Sequence, residues 1–237
     1  MKLEKAIETI ITELKEFIGN KKAVIGISGG IDSAVVAALC VKAVGKENVV
    51  GISMPYGNNN TDDAILLVNH LGIACKEVNI KQTVDSFNFF EMSHIGKGNI
   101  MARTRMIVLY AFANKFDGLV IGTGNKSELS VGYFTKYGDG GVDLLPIGDL
   151  YKTEVFDVAR ALKLPQKIIN KKPSADLWEG QTDEGEMGVS YEMLDIILQG
   201  KGNNCNKEII AKAKLMIERS EHKRRTPRII FVRGIEE

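Results

Sequence analysis

Cysteine is scarce in this sequence of 237 residues. Cys40, Cys75 and Cys205 are odd in number, widely spaced and never paired as CxxC. That excludes a disulfide framework and a cysteine-rich zinc site, and makes a reducing cytoplasm the expected compartment. An excess of one charge is missing too, with 31 Lys and Arg against 30 Asp and Glu. No overall field would gather nucleic acid or an anionic membrane, so neither is an expected partner, and any polyanionic ligand must be met by a local pocket. The longest apolar run, Ala34 to Val41, is too short to span a bilayer. Met1 to Phe17 carries charges every few residues, unlike a signal peptide. A composition of 44% hydrophobic and 26% charged residues, with five prolines, excludes disordered, collagen-like and coiled-coil classes. With no repeat, low-complexity tract or clear linker, one domain over residues 1–237 is expected.

What is present is a regular alternation of patterns. Leu3, Ile7, Ile10, Ile11, Leu14, Phe17 and Ile18 recur at three- and four-residue steps and predict an amphipathic helix ended by Gly19-Asn20. Short apolar, β-branched runs follow at Ala23 to Ile27 and Val49 to Met54, each leading into a helical pattern, Asp32 to Val44 and Asp62 to Leu71. Ile73 to Ile80 predicts a third strand, Asn99 to Lys115 a long helix and Gly118 to Ile121 a fourth strand. This is the alternation of an α/β protein with a three-layer, doubly wound parallel sheet, whose ligands sit at the carboxyl ends of the strands. Gly122 to Leu150 and Lys171 to Gly188 read as long irregular segments, which suggests function. Further helices are predicted at Lys152 to Leu162, Tyr191 to Leu198 and Lys207 to Ser220, before a basic tail.

The most informative residues join the first strand to its helix: Gly26, Ile27, Ser28, Gly29, Gly30, Ile31, Asp32 and Ser33. Adjacent glycines let backbone N–H groups approach a ligand, and the helix N-terminus adds unpaired donors and the positive end of its dipole. Such a turn suits phosphate. Ser28 and Ser33 add hydroxyls, and Asp32 could hold a magnesium ion on phosphate oxygens. No Gly-Lys-Ser/Thr follows and the Gly-x-Gly-x-x-Gly spacing is absent, so this is neither a Walker A loop nor a dinucleotide fingerprint. It resembles the Ser-Gly-Gly-x-Asp-Ser pyrophosphate loop of the ATP pyrophosphatase superfamily, which implies a Rossmann-like adenine nucleotide hydrolase fold and cleavage of ATP between the α- and β-phosphates.

Further segments narrow the substrate. Gly122-Thr-Gly-Asn-Lys-Ser-Glu128, Gly132-Tyr-Phe-Thr-Lys-Tyr-Gly-Asp139, Asp143-Leu-Leu-Pro146, Leu150-Tyr-Lys-Thr153 and Pro173-Ser-Ala-Asp-Leu-Trp-Glu-Gly-Gln-Thr-Asp-Glu184 occur in an order and spacing similar to the ammonia-dependent NAD synthetases, over nearly the whole chain. The resemblance implies amidation of deamido-NAD (nicotinic acid adenine dinucleotide) by ammonia through an adenylated intermediate, giving NAD, AMP and pyrophosphate. Asp32 and Glu128 would then be carboxylates on magnesium, with Lys152 on phosphate, and these three would be the catalytic groups. Thr123, Lys152 and Ser174 would join the loop in holding ATP; Ser174 stands where the family usually has Thr. Arg103, Lys136, Asp143, His222 and Lys223 match positions that hold deamido-NAD. The resemblance also implies a homodimer.

The residues alone leave other readings open. Arg103 and Arg105 stand two apart on a helix and read as solvated charges on different faces. Glu128 reads as loop surface, and His222 to Arg228 as a solvated basic tail or weak nucleic-acid patch. His70 and His94 read as structural or surface residues, and Trp178 as part of a mobile lid. No Ser/His/Asp or Cys/His set for covalent catalysis is visible. A length consumed by the synthetase motifs leads to the expectation of free ammonia, or ammonia from a separate protein, since glutamine-dependent relatives carry an added amidotransferase domain. A tRNA-modifying pyrophosphatase and a non-catalytic ATP-binding module share the loop and remain the alternatives.

Overall fold

The computed structural model describes residues 2–174 and 180–231. Trp178, expected in a lid, lies outside them.

Four parallel strands form one sheet: β1 (Lys22–Gly26), β2 (Val49–Ser53), β3 (Ala74–Glu77) and β4 (Gly118–Ile121), in the order β3-β2-β1-β4. All three pairings are parallel, with Val24 opposite Val50 and Val120 in the two ladders that β1 makes. Side chains alternate along each strand and so feed two cores. Ala23 and Ile25 pack with Val49 and Ile121 on one face, against helices α1 (Leu3–Ile18), α2 (Ile31–Val44), α3 (Asp62–Leu71), α7 (Lys152–Ala161) and α8 (Gln166–Ile169). Val24, Val50, Ile52 and Val120 pack on the other, against α4 (Lys81–Asp85) and α5 (His94–Phe116). This is the expected three-layer, doubly wound arrangement. Its first helix buries Leu14 and Ile18 and ends at Gly19, as the periodicity required.

Ten of the fourteen residues of α2 are buried, which explains its uniformly apolar sequence: it is a central helix, covered by α1, α3 and α7. At about 1.5–3 kcal/mol for each large aliphatic side chain removed from water, this helix anchors the loop that precedes it.

A third core lies beside the carboxyl end of the sheet. It joins Val131 of α6 (Lys126–Val131), Met187 of α9 (Asp183–Met187), Tyr191 and Leu194 of α10 (Tyr191–Leu198) and Ala213 of α11 (Lys207–Arg219). The stretches 122–150 and 171–188 were expected to be irregular, yet they contain α6 and α9. Both helices are short and end at left-handed glycines, Gly132 and Gly188, so neither is long enough to show periodicity. The long helix starts at His94 rather than Asn99, because the Ser93 side chain accepts from Gly96 N and caps it upstream of two glycines. The edge strand is shorter than the run Ile73 to Ile80, since β2 ends at Ser53; beyond it the backbone bonds Val78 N to Ser53 O and Ile80 N to Pro55 O, with the Asn79 side chain on Gly57, hold the chain alongside.

Candidate active site

β1 and β4 are neighbours in the sheet although β2 and β3 separate them in sequence, so the loops after these two strands frame a crevice at their carboxyl ends. The loop after β1 carries Ser28, Gly29 and Gly30. Gly29 has φ +77°, and a Cβ there would stand 2.7 Å from the Asp63 Cβ at the start of α3. Only glycine fits both the backbone angle and that close approach. Ser28 Oγ accepts from Gly30 N at 3.2 Å, and Ser33 Oγ donates to Gly30 O at 2.9 Å, so the hydroxyls hold the turn's shape.

Asp32 opens α2, Glu128 lies in the first turn of α6 and Lys152 opens α7. The fold brings all three together. Lys152 Nζ donates to Asp32 Oδ2 at 2.5 Å and to Glu128 Oε1 at 3.3 Å. Its side chain is 1% exposed, against 19% for Asp32 and 15% for Glu128, so the ammonium is sealed behind two carboxylates that still reach solvent. Asn125, fully buried, caps α6 by accepting from Glu128 N and donates to Asp32 Oδ1. Burial raises the Glu128 carboxyl to about 7; Lys152 opposes that rise and Asp32 adds to it. Burial by itself would depress Lys152, but the Asp32 and Glu128 carboxylates outweigh it and hold the ammonium above its ordinary value.

Three helix N-termini thus point at one pair of carboxylates, a place built for anions and a hard cation. Asp32 and Glu128 are the groups that could hold such a cation. Among the described residues no cluster of three or more His, Cys, Asp or Glu is arranged to bind a metal by itself.

Next to this trio lies a cavity of about 460 Å³. Gly26, Ile27, Ser28, Thr123, Ser174 and Lys223 of the expected site line it. The other residues expected at deamido-NAD, Arg103, Lys136, Asp143 and His222, are not on its wall. Arg103 is exposed, with Nε donating to Lys136 O at 3.3 Å, while Lys136 Nζ donates to His222 O at 2.7 Å. Lys223 Nζ donates to the carbonyls of Gly132 and Phe134. Asp143 accepts from the Tyr110 hydroxyl at 3.0 Å and Val120 N at 2.7 Å, which ties the segment after the β4 loop back to the sheet. Arg105, read from sequence as a solvated charge, is half-buried, donates from Nε to Met54 O and lines the cavity.

A family model described as NAD synthase matches residues 3–227. The chain belongs to the NAD synthase family. It is 50% identical over 240 residues to an NH(3)-dependent NAD(+) synthetase of Pyrococcus horikoshii, covering 94% of this chain and 93% of that protein. Among solved structures it is similar to an NMN synthetase from Francisella tularensis, with 37% identity, a TM-score of 0.91, and 97% and 99% of the two chains covered. An NH3-dependent NAD synthetase from Campylobacter jejuni, in complex with the nitrate ion, matches with 32% identity, a TM-score of 0.83, and 98% and 100% coverage.

In this NAD synthase family member a further layer of groups, missed from the sequence, surrounds the trio. The Tyr191 hydroxyl stands 3.2 Å from Glu128 Oε1 and 3.1 Å from Asp183 Oδ2. Tyr133 likewise stands between Asp183 and Glu186, at 3.2 and 2.8 Å. Each hydroxyl has one proton for two carboxylates, so the row can donate to only one neighbour at a time. Burial raises the Asp183 carboxyl. Asp195, 1% exposed, accepts from Ser127 Oγ and from Thr153 N and Oγ1. The sequence offered one signal for it, an acid inside the apolar helix Tyr-Glu-Met-Leu-Asp-Ile-Ile-Leu.

Proposed function

We propose that this chain forms NAD from deamido-NAD, ATP and ammonia in two steps. In the first, a nicotinate carboxylate oxygen attacks the α-phosphorus of ATP, and the bond to the β-phosphate oxygen breaks to release pyrophosphate. In the second, the ammonia nitrogen attacks the acyl carbon of this mixed anhydride, loses a proton, and AMP departs with the bridging oxygen.

The observation that carries the reading is the Lys152 ammonium bracketed by Asp32 and Glu128 at the end of the glycine loop. The loop amides and the α2 N-terminus would bind the phosphates, and Lys152 would neutralise the charge that develops on the leaving pyrophosphate. A magnesium ion on Asp32 and Glu128 would neutralise further phosphate charge. Thr123 and Ser174, on the cavity wall, would meet ATP, while Lys223 on the same wall, with Arg103, Lys136, Asp143 and His222, would meet deamido-NAD. For the last group the support is family position and proximity, because their hydrogen bonds are at present made within the chain. The adenylate must be kept from water, and the segments 132–141, 171–174 and 180–188, which place Tyr133, Ser174 and Gln181 on the cavity wall, would do so. Similarity to an NH(3)-dependent relative along most of both chains supports ammonia as the nitrogen source, and supports synthesis over the tRNA-modifying and ATP-binding-module readings.

A second acid substrate, nicotinic acid mononucleotide, is favoured by the likeness to the Francisella NMN synthetase. A homodimer is part of the proposal as well, supported by the family resemblance and by Ile107 on α5, 68% exposed. A cytoplasmic location is supported by three free cysteines. Sedimentation reads the dimer directly.

Incubation with ATP, magnesium and ammonia or glutamine, and with the dinucleotide or mononucleotide acid, tests the chemistry. Equal amounts of NAD, AMP and pyrophosphate with ammonia and the dinucleotide are expected, abolished by a chelator. No NAD, or ADP in place of AMP, overturns the reading; faster amidation of the mononucleotide replaces the substrate.

A further inference from the structure

Lys152 is held by one helix that carries none of the residues so far assigned to the reaction. Tyr191 and Asp195 stand four apart on α10 and so project from the same face. Both are nearly inaccessible, at 3% and 1% exposure.

They act on different parts of the same lysine. The Tyr191 ring lies 4.8 Å from Lys152 Nζ, and its hydroxyl reaches Glu128 Oε1, so one side chain touches both members of the Lys152–Glu128 pair. Asp195 holds the backbone. Its Oδ2 accepts from Thr153 N at 3.0 Å and from Thr153 Oγ1 at 2.9 Å, and its Oδ1 accepts from Ser127 Oγ, which itself accepts from Lys152 N at 2.9 Å. The free N–H groups that open α7 are thereby tied, through a buried carboxylate, to α10 and to α6, the helix that carries Glu128. A lysine has a flexible four-carbon stem, and a charge that must hold two carboxylates in register for reaction needs placement to within about 0.5 Å.

We infer that Tyr191 and Asp195 are positioning residues, through which α10 sets where the Lys152 ammonium stands relative to Asp32 and Glu128. The inference rests on the proposed reaction for its kinetic consequence, though not for its structural one.

Tyr191→Phe keeps the ring beneath the ammonium and removes the hydroxyl. Asp195→Asn keeps the size and removes the charge and one acceptor. For each, circular dichroism, kcat and KM for ATP, and hydrogen exchange of the amides at 152–153 are measured. A hydrogen bond to a charged group is worth a factor of about 10 to 100, so kcat falls by that much in both while KM for ATP stays within about threefold. Exchange at 152–153 quickens in Asp195→Asn with the dichroism unchanged. The inference is overturned by kcat within twofold of the parent in both variants, by equal loss through KM, or by unchanged exchange. If the parent itself makes no NAD, the proposed function fails and the exchange result alone decides: faster supports positioning, unchanged overturns it.

Discussion

Asn125 Nδ2 donates to Asp32 Oδ1 at 3.0 Å, joining the N-terminus of α6 to that of α2 across 93 residues of sequence. The same side chain accepts from Glu128 N, so one buried amide orients both carboxylates. Asn125→Ala removes a helix cap, worth about 1 kcal/mol, and strips the half-buried Asp32 carboxylate of a donor, worth about 1–3 kcal/mol. A loss of about 2–4 kcal/mol in urea unfolding is expected. A loss below about 0.5 kcal/mol would show that water replaces the amide without cost.

Asp32→Asn and Glu128→Gln should each lower turnover by a factor on the order of 100 to 1,000, the range for removing one preorganised charge from a site of this kind. Each variant leaves Lys152 one remaining carboxylate partner, so the fold persists in circular dichroism. Near-normal turnover in either variant removes that residue from the reacting groups.

Gly29→Ala separates loop shape from helix stability. Forcing a side chain into φ +77° costs about 1–2 kcal/mol, and the new methyl must also displace the start of α3 at Asp63. Titration calorimetry with ATP should show affinity weakened at least tenfold, because the loop can no longer seat its amides. An unchanged affinity would mean that the phosphates are held elsewhere.

The thiol of Cys40, deep in α2, is pushed up to about 12 by burial. At pH 8 only about one molecule in ten thousand carries the thiolate, so native protein should leave Cys40 unalkylated by iodoacetamide over an hour, while urea exposes it. Rapid labelling without denaturant would mean that α2 opens readily, against its place in the core.

The glycine loop and its flanking strand and helix were legible because every cue is local: a β-branched run, two glycines, an acid in the first helical turn. The register of Glu128 and Lys152 against Asp32 was not, since it depends on α6 and α7 meeting α2. Helix α6, six residues long, is recognisable only through the Asn125 cap and Glu128, whose side chain reaches back to Asn125 N. Arg105 shows the same limit. Two residues from Arg103 on one helix, it differs only in facing the cavity, which the sheet behind it decides.

The sequence by itself determined the alternation of buried strands and helices, the phosphate-type turn and the residue types that surround it, because periodicity and turn chemistry act over a few neighbouring residues. Only the tertiary structure decided that Lys152 is sealed between Asp32 and Glu128, and that Tyr191 and Asp195 hold it there. An acid and a tyrosine in an apolar helix acquire that role through burial against two other helices, and burial is a property of the packed chain.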